Sequence, residues 1–323
     1  MTLQSEPRRR LLLGAGLAAL LPSAWAQTGW PAKPVRIISP YTAGGLGDIL
    51  PRALASVLQP RIGQPVLVDN KPGASQVLGA QAAMRSEPDG LTLFWASTTS
   101  MAINPIAQKK LPYDPLKDFA PIAICFTAPL YLIVRPSLPV KSVQELVAYA
   151  RANPGKVTFA SGGNGSTNHL AGELFAQQAG VKMLHVPYKG AGGAITDLMA
   201  GTVDIMFEGN GVEYARKGQL RALAVASNKR TRAAPELPTI AEAGVPGCEV
   251  GVWFGLAAPA ATPQPLVERI ATEVQHALVD PELARRLPDV EITPSTPQQM
   301  AAQVRADTAK WRKVIAAANV TFD

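Results

Sequence analysis

Hydrophobic positions along the chain follow two alternating periods. Val35-Arg36-Ile37-Ile38-Ser39-Pro40 is a short apolar run closed by proline, and Ile49 to Leu58 behind it spaces apolar residues as one face of a helix does. The pattern repeats: Val66 to Val68 predicts a strand, Ser75 to Met84 a helix and Leu91 to Ala96 a strand. Such alternation predicts a mostly parallel sheet covered by helices.

Past Phe119 the rhythm breaks. Residues 122–134 are apolar without a helical period, interrupted only at Ala128-Pro129, and suit a crossing between two lobes. The alternation then resumes: helix Val143 to Arg151 with Ser142 as N-cap, strand Lys156 to Ala160, helix Asn168 to Ala179, strand Met183 to Val186, helix Ala191 to Met199, and strands Val203 to Phe207 and Leu220 to Ala226. Val250 to Ala258 is again extended and suits a return crossing. Helices Leu266 to Val279 and Gln298 to Ala318 close the chain. The expected division is 27–127 plus 251–323 for one α/β lobe and 128–250 for the other, with the two crossing strands as hinge. Strand ends of both sheets then face one cleft, where ligands of open α/β sheets bind.

The N-terminus adds a destination. Arg8-Arg9-Arg10, the apolar run Leu11 to Leu21 and Ala24-Trp25-Ala26 have the layout of an export signal over residues 1–26, cleaved near Ala26. The consecutive arginines leave a twin-arginine signal open beside the secretory one. No later stretch reaches the roughly 20 apolar residues of a spanning helix. In an oxidising compartment Cys125 and Cys248 would be either a disulfide or two buried thiols.

Composition changes less. With 47% hydrophobic residues in 323, the chain has material for one large domain or two lobes. The formal net charge of +7 is scattered, without a basic stripe interleaved with aromatics, which argues against nucleic acid as a partner.

Candidate chemistry lies in two glycine-rich loops. Tyr41-Thr42-Ala43-Gly44-Gly45-Leu46-Gly47-Asp48 separates the first strand from the first helix, and Ser161-Gly162-Gly163-Asn164-Gly165-Ser166-Thr167 holds the equivalent place in the second series. Glycine lets backbone approach a ligand, and a helix start offers unpaired N–H groups and a positive dipole end to an anion. The plainer alternative is that Asp48 caps the helix and the glycines only turn the chain. Pro51 is expected in the first helical turn, where its missing N–H costs little. Neither loop carries a nucleotide signature, so no phosphate-bearing cofactor is expected. Catalytic groups are sparse. There is no Gly-x-Ser-x-Gly elbow and no Cys/His pair at zinc spacing. His169 reads as a cleft-wall or helix-surface residue rather than a general base, and Trp95, Trp253 and Trp311 read as core.

Several stretches together carry a resemblance. They are Pro31-Ala32-Lys33-Pro34-Val35-Arg36, Gly44-Gly45 with Asp48, Gly63-Gln64-Pro65-Val66, Asn70-Lys71-Pro72-Gly73-Ala74, Pro88-Asp89-Gly90-Leu91-Thr92-Leu93, Leu111-Pro112-Tyr113-Asp114-Pro115 and Asp118-Phe119-Ala120-Pro121. Ser161 to Ser166 running into His169-Leu170-Ala171-Gly172-Glu173-Leu174-Phe175, then His185-Val186-Pro187-Tyr188-Lys189-Gly190, Leu220 to Val225 and Trp253-Phe254-Gly255-Leu256 with Pro259 complete the set. From Trp30 onward the chain resembles the substrate-binding receptors of tripartite tricarboxylate transporters, the Bug receptors.

The resemblance implies a two-lobed periplasmic binding protein, a type II flytrap, that takes up a small carboxylate: a di- or tricarboxylate, an acidic amino acid or an aromatic acid. It implies delivery to the membrane permease subunits of the transporter, a monomer, no cofactor, no metal and no catalysis. The alternative is a sensor that presents the same closed form to a kinase or partner protein. Such receptors hold a carboxylate largely by backbone N–H groups and water. The ligand-binding set this implies is Tyr41, Thr42, Ala43, Gly44, Gly45, Asp48, Ser97, Ser161, Gly163, Asn164, Gly165, Ser166, Thr167, His169, Tyr188 and Glu208. The chain departs from the family in three places. The first loop reads Tyr-Thr-Ala-Gly-Gly rather than the commoner Phe-Ala-Pro-Gly-Gly, Pro51 replaces a small residue, and Glu208 stands where aspartate is common.

Overall fold

A computed structural model describes residues 29–287 and 290–318. The expected export signal lies outside the described residues. β1 (Val35–Ser39) leads into α1 (Leu46–Ile62), then β2 (Val66–Asn70), α2 (Val77–Met84), β3 (Thr92–Ser97), a turn of π-helix at Thr99–Ile103, α3 (Asn104–Ala107) and the long β4 (Phe119–Pro129). After Leu130 the chain enters a second sheet. Its elements are β5 (Tyr131–Val134), α4 (Val143–Ala152), β6 (Thr158–Ser161), α5 (Thr167–Ala179), β7 (Leu184–Pro187), α6 (Ala191–Ala200), β8 (Ile205–Glu208), α7 (Gly211–Arg216) and β9 (Arg221–Val225). The chain returns through β10 (Gly251–Pro259) to α8 (Gln264–Leu278), α9 (Pro281–Arg286), β11 (Glu291–Ile292) and α10 (Pro297–Ala318).

The sheets have strand orders β11-β4-β10-β3-β1-β2 and β7-β6-β8-β5-β9. Among the named strands, β1 pairs in parallel with β2 and β3, and β6 with β7 and β8. The remaining pairs are antiparallel, so both sheets are mixed rather than mostly parallel. The connections explain this. β4 carries the chain out of the first lobe and β10 brings it back, and the two lie side by side from Phe119 against Pro259 to Pro129 against Gly251.

Local sequence accounts for the main helices. Ser142 Oγ accepts from Glu145 N at 3.1 Å while Glu145 Oε2 accepts from Lys141 N at 2.7 Å, a reciprocal cap on α4. α8 buries Val267, Ile270, Ala271, Val274 and Ala277, spaced three and four apart. Pro51 sits more than a turn into α1, not in its first turn. It has no N–H for the Gly47 carbonyl, which instead accepts from the buried Ser39 hydroxyl at 3.2 Å.

Trp95 and Trp311 are fully buried, and Trp95 stacks on Phe254 with ring centres 6.1 Å apart. Trp253 Nε1 donates to Asp307 Oδ2 at 2.6 Å, tying α10 to β10. Cys125 and Cys248 are free thiols, both buried.

Candidate ligand-binding cleft between the lobes

Both glycine loops end on one cavity of about 370 Å³ between the sheets. Gly45, Leu46 and Gly47 bring the start of α1 to its wall; Ser166, Thr167 and Asn168 bring α5, and Gly190 and Ala191 bring α6. The first N–H groups of each helix have no partner inside it, and the three positive dipole ends add together at the cavity. Among the described residues of the wall, Lys189 and Glu208 are the only ordinarily charged side chains, and there is no arginine. The wall otherwise offers main-chain N–H groups and hydroxyls.

The lobes touch around this cavity. Thr99 Oγ1 lies 2.9 Å from Thr167 Oγ1 and accepts from Thr167 N at 3.3 Å. The Ser75 hydroxyl donates to the Asn164 carbonyl. A Cβ at Gly190 would stand 2.3 Å from Thr42 Oγ1, and one at Gly192 would stand 2.9 Å from the Ala43 carbonyl oxygen. Glycine at these two positions is what lets the first loop meet α6.

Of the residues expected from the sequence, Tyr41, Thr42, Gly45, Gly163, Asn164, Ser166, Thr167, Tyr188 and Glu208 line the cavity. Ala43, Gly44, Asp48, Ser97, Ser161, Gly165 and His169 are not on its wall: Ala43 and Gly44 are exposed, and the other five are buried. Asp48 accepts from Gly44 N at 3.3 Å, Asn70 Nδ2 at 2.8 Å and Arg52 Nε at 2.9 Å, so it shapes the first loop. Burial, the largest single effect, pushes its carboxyl up, but those donors together outweigh it and hold the carboxyl below the usual range. Ser97 donates to Gln76 Oε1 at 2.8 Å, and Gln76 Nε2 donates to Tyr41 Oη at 2.8 Å. Burial pushes the Tyr41 phenol far up, so it stays a hydroxyl.

The second loop rests on a histidine pair. His169 and His185 stack with ring centres 3.8 Å apart, Phe159 packs on His185, and Gly165 N donates to His169 Nδ1 at 3.1 Å. Ser166 caps α5 through His169 N at 3.3 Å. Burial, with His169 close by, brings the His185 imidazole down to about 4. Ser161 Oγ meets His185 Nε2 at 2.6 Å, a contact of the kind that activates a nucleophile. Ser161 is fully buried, bonded to Gly163 N and O at 3.1 Å each, and off the cavity wall, so its hydroxyl braces the loop instead.

The sequence reading missed a third loop. Gly73, Ala74, Ser75 and Gln76 line the cavity, and the last three have φ of 46, 49 and 80°, so α2 begins at Val77 and not at Ser75. Each non-glycine residue held there costs on the order of 1 kcal/mol, a strain that persists where neighbours over-determine it. Asn104 Nδ2 on the Ser75 carbonyl at 2.8 Å and the two bonds to Gln76 supply that restraint. Thr99, Asn168, Gly190 and Phe254 were missed as well. The polar pair Ser75-Gln76, one residue beyond Gly73, was the signal available for the third loop.

The family model described as tripartite tricarboxylate transporter family receptor matches residues 50–320. The chain belongs to this family. Its structure is similar to that of the periplasmic binding protein BugD, at 32% identity and a TM-score of 0.87 over 90% of this chain and 99% of that one. It is similar to Rpa4515 of Rhodopseudomonas palustris, determined with adipate, at 35% identity and 0.88 over 91% and 99%. MatC of the same organism, determined with bound malate, is 30% identical, with a TM-score of 0.84 over 88% and 100%. The fold is thus that of two-lobed periplasmic binding proteins, and the chain is a solute-binding receptor of the tricarboxylate transporter family.

Proposed function

We propose that this receptor, exported after cleavage near Ala26, closes as a monomer on a small carboxylate and delivers it unchanged to the permease subunits of a tripartite tricarboxylate transporter. The observation that carries the reading is the convergence of three helix starts, from both lobes, on one cavity. Its volume suits a small organic acid. The adipate and malate found with Rpa4515 and MatC support a carboxylate, since both are dicarboxylates of that size. One carboxylate would meet the N–H groups at Gly45 and Leu46 beside the Thr42 hydroxyl. Ser166, Thr167 and the start of α6 would hold it from the other lobe.

Binding and closure are then one event, because only the closed lobes offer both sets of donors. The burial of Ser161 and its bonds to Gly163 favour a receptor that does not turn its ligand over. A thermal-shift and calorimetric screen of mono-, di- and tricarboxylates tests the reading. An acid at a hundred times its dissociation constant should stabilise the fold by about 2.7 kcal/mol. A panel in which no carboxylate binds would refute it.

A further inference from the structure

Glu208 ends β8, lines the cavity and is almost wholly buried. Its partners are neutral donors: Asn168 Nδ2 at 3.1 Å and the N–H groups of Gly209 and Asn210. No cation pairs with it among the described residues. Burial pushes its carboxyl up to about 7, and removing a charge from water without a counter-charge is costly. A cavity built from helix starts to attract an anion therefore also holds an acid that repels one.

Two further features sit beside it. Tyr41 and Phe254 line the same cavity, their ring centres 5.8 Å apart, and Tyr41 is close enough to Glu208 to feel its charge. Aromatic faces next to a carboxylate attract an ammonium group. A ligand with a carboxylate at one place and a cation at another meets both halves of this wall, whereas an unsubstituted dicarboxylate leaves Glu208 without a counter-charge.

We infer that Glu208 selects an acid that carries a protonated amino group, holding the ammonium of an amino acid while the helix starts hold its carboxylate. This rests on the carboxylate-receptor reading and narrows its substrate class. The ammonium brings the counter-charge that the protein lacks at this point, and the carboxyl then accepts a charge-assisted hydrogen bond from it.

The test is calorimetry with matched pairs differing only in the amino group: L-aspartate with succinate, L-glutamate with glutarate, and neutral and aromatic amino acids with their des-amino acids. At least one amino acid should bind at least about tenfold tighter than its counterpart. In Glu208→Gln, which keeps the size and the Asn168 contact, the difference should vanish or reverse. Glu208→Asp, which keeps the charge, should retain the preference at lower affinity. A purely structural role would weaken both members of each pair alike. Des-amino acids binding as tightly as their partners would overturn the inference and leave the carboxylate receptor standing; silence across every pair would take both down.

Discussion

Thr99 and Thr167 stand on different lobes, and their Oγ1 atoms lie 2.9 Å apart beside the cavity. Thr99 opens the π-helical turn after β3, and Thr167 is the first residue of α5. The hydroxyl pair therefore ties a helix start that lines the cavity to the opposite lobe, and it forms only when the lobes meet. Replacing Thr99 by the isosteric valine should cost about 1 kcal/mol of closure, roughly a fivefold weaker dissociation constant by calorimetry. The threonine pair plays no part in closure if the affinity is unchanged.

Closure also depends on what is absent from Gly190. Its Cβ would stand 2.3 Å from Thr42 Oγ1 and 2.8 Å from Thr42 Cγ2, so turning the threonine side chain does not relieve the contact. Gly190→Ala should abolish binding while the far-ultraviolet circular dichroism stays that of the parent, because the clash lies between lobes. Thr42→Ala in the same chain removes both offending atoms and should restore part of the affinity. An alanine variant with parental affinity would show that the lobes need not approach this closely.

Glu208 and His185 give opposite pH dependences. A glutamate that ionises near 4.5 when unfolded and near 7 when folded makes the unfolded chain the weaker proton binder between those values, so stability falls as pH rises through them. His185, near 6.5 unfolded and about 4 folded, does the reverse, and its contribution is lost as pH falls from 6.5 to 4. In ligand-free protein the two largely offset each other. Glu208→Gln should therefore gain on the parent as pH rises from 4 to 8, by on the order of 3 kcal/mol. Its own stability should climb between pH 4 and 6.5. Urea unfolding at several pH values reads this directly, and parallel curves for the two proteins would contradict it.

Much of this organisation was legible in the sequence because its signals are local. The strand-to-helix alternation and the two glycine loops repeat at matching places, and Ser142 and Ser166 cap the helices they precede. The unperiodic stretches that became β4 and β10 marked the passages between sheets. What was misread depends on tertiary context. Pro51 lies deep in α1 only because Ser39, on another element, serves the carbonyl that the proline leaves. Ser75 and Gln76 extend the apolar helix pattern on paper, and only Asn104, Tyr41 and Ser97 hold them left-handed. Asp48 and His169 lie in the opening turns of α1 and α5 and Ser161 ends β6, but the side on which each faces is set by partners such as His185 and Asn70.

The central claim is that one acid is held by helix starts of both lobes. A crystal structure with the tightest-binding carboxylate of the screen tests it most directly. A carboxylate group should lie in the cavity within hydrogen-bond distance of main-chain N–H groups at the start of α1, with further contacts at the start of α5 or α6. Density confined to one lobe, or an acid bound outside this cavity, would contradict the account.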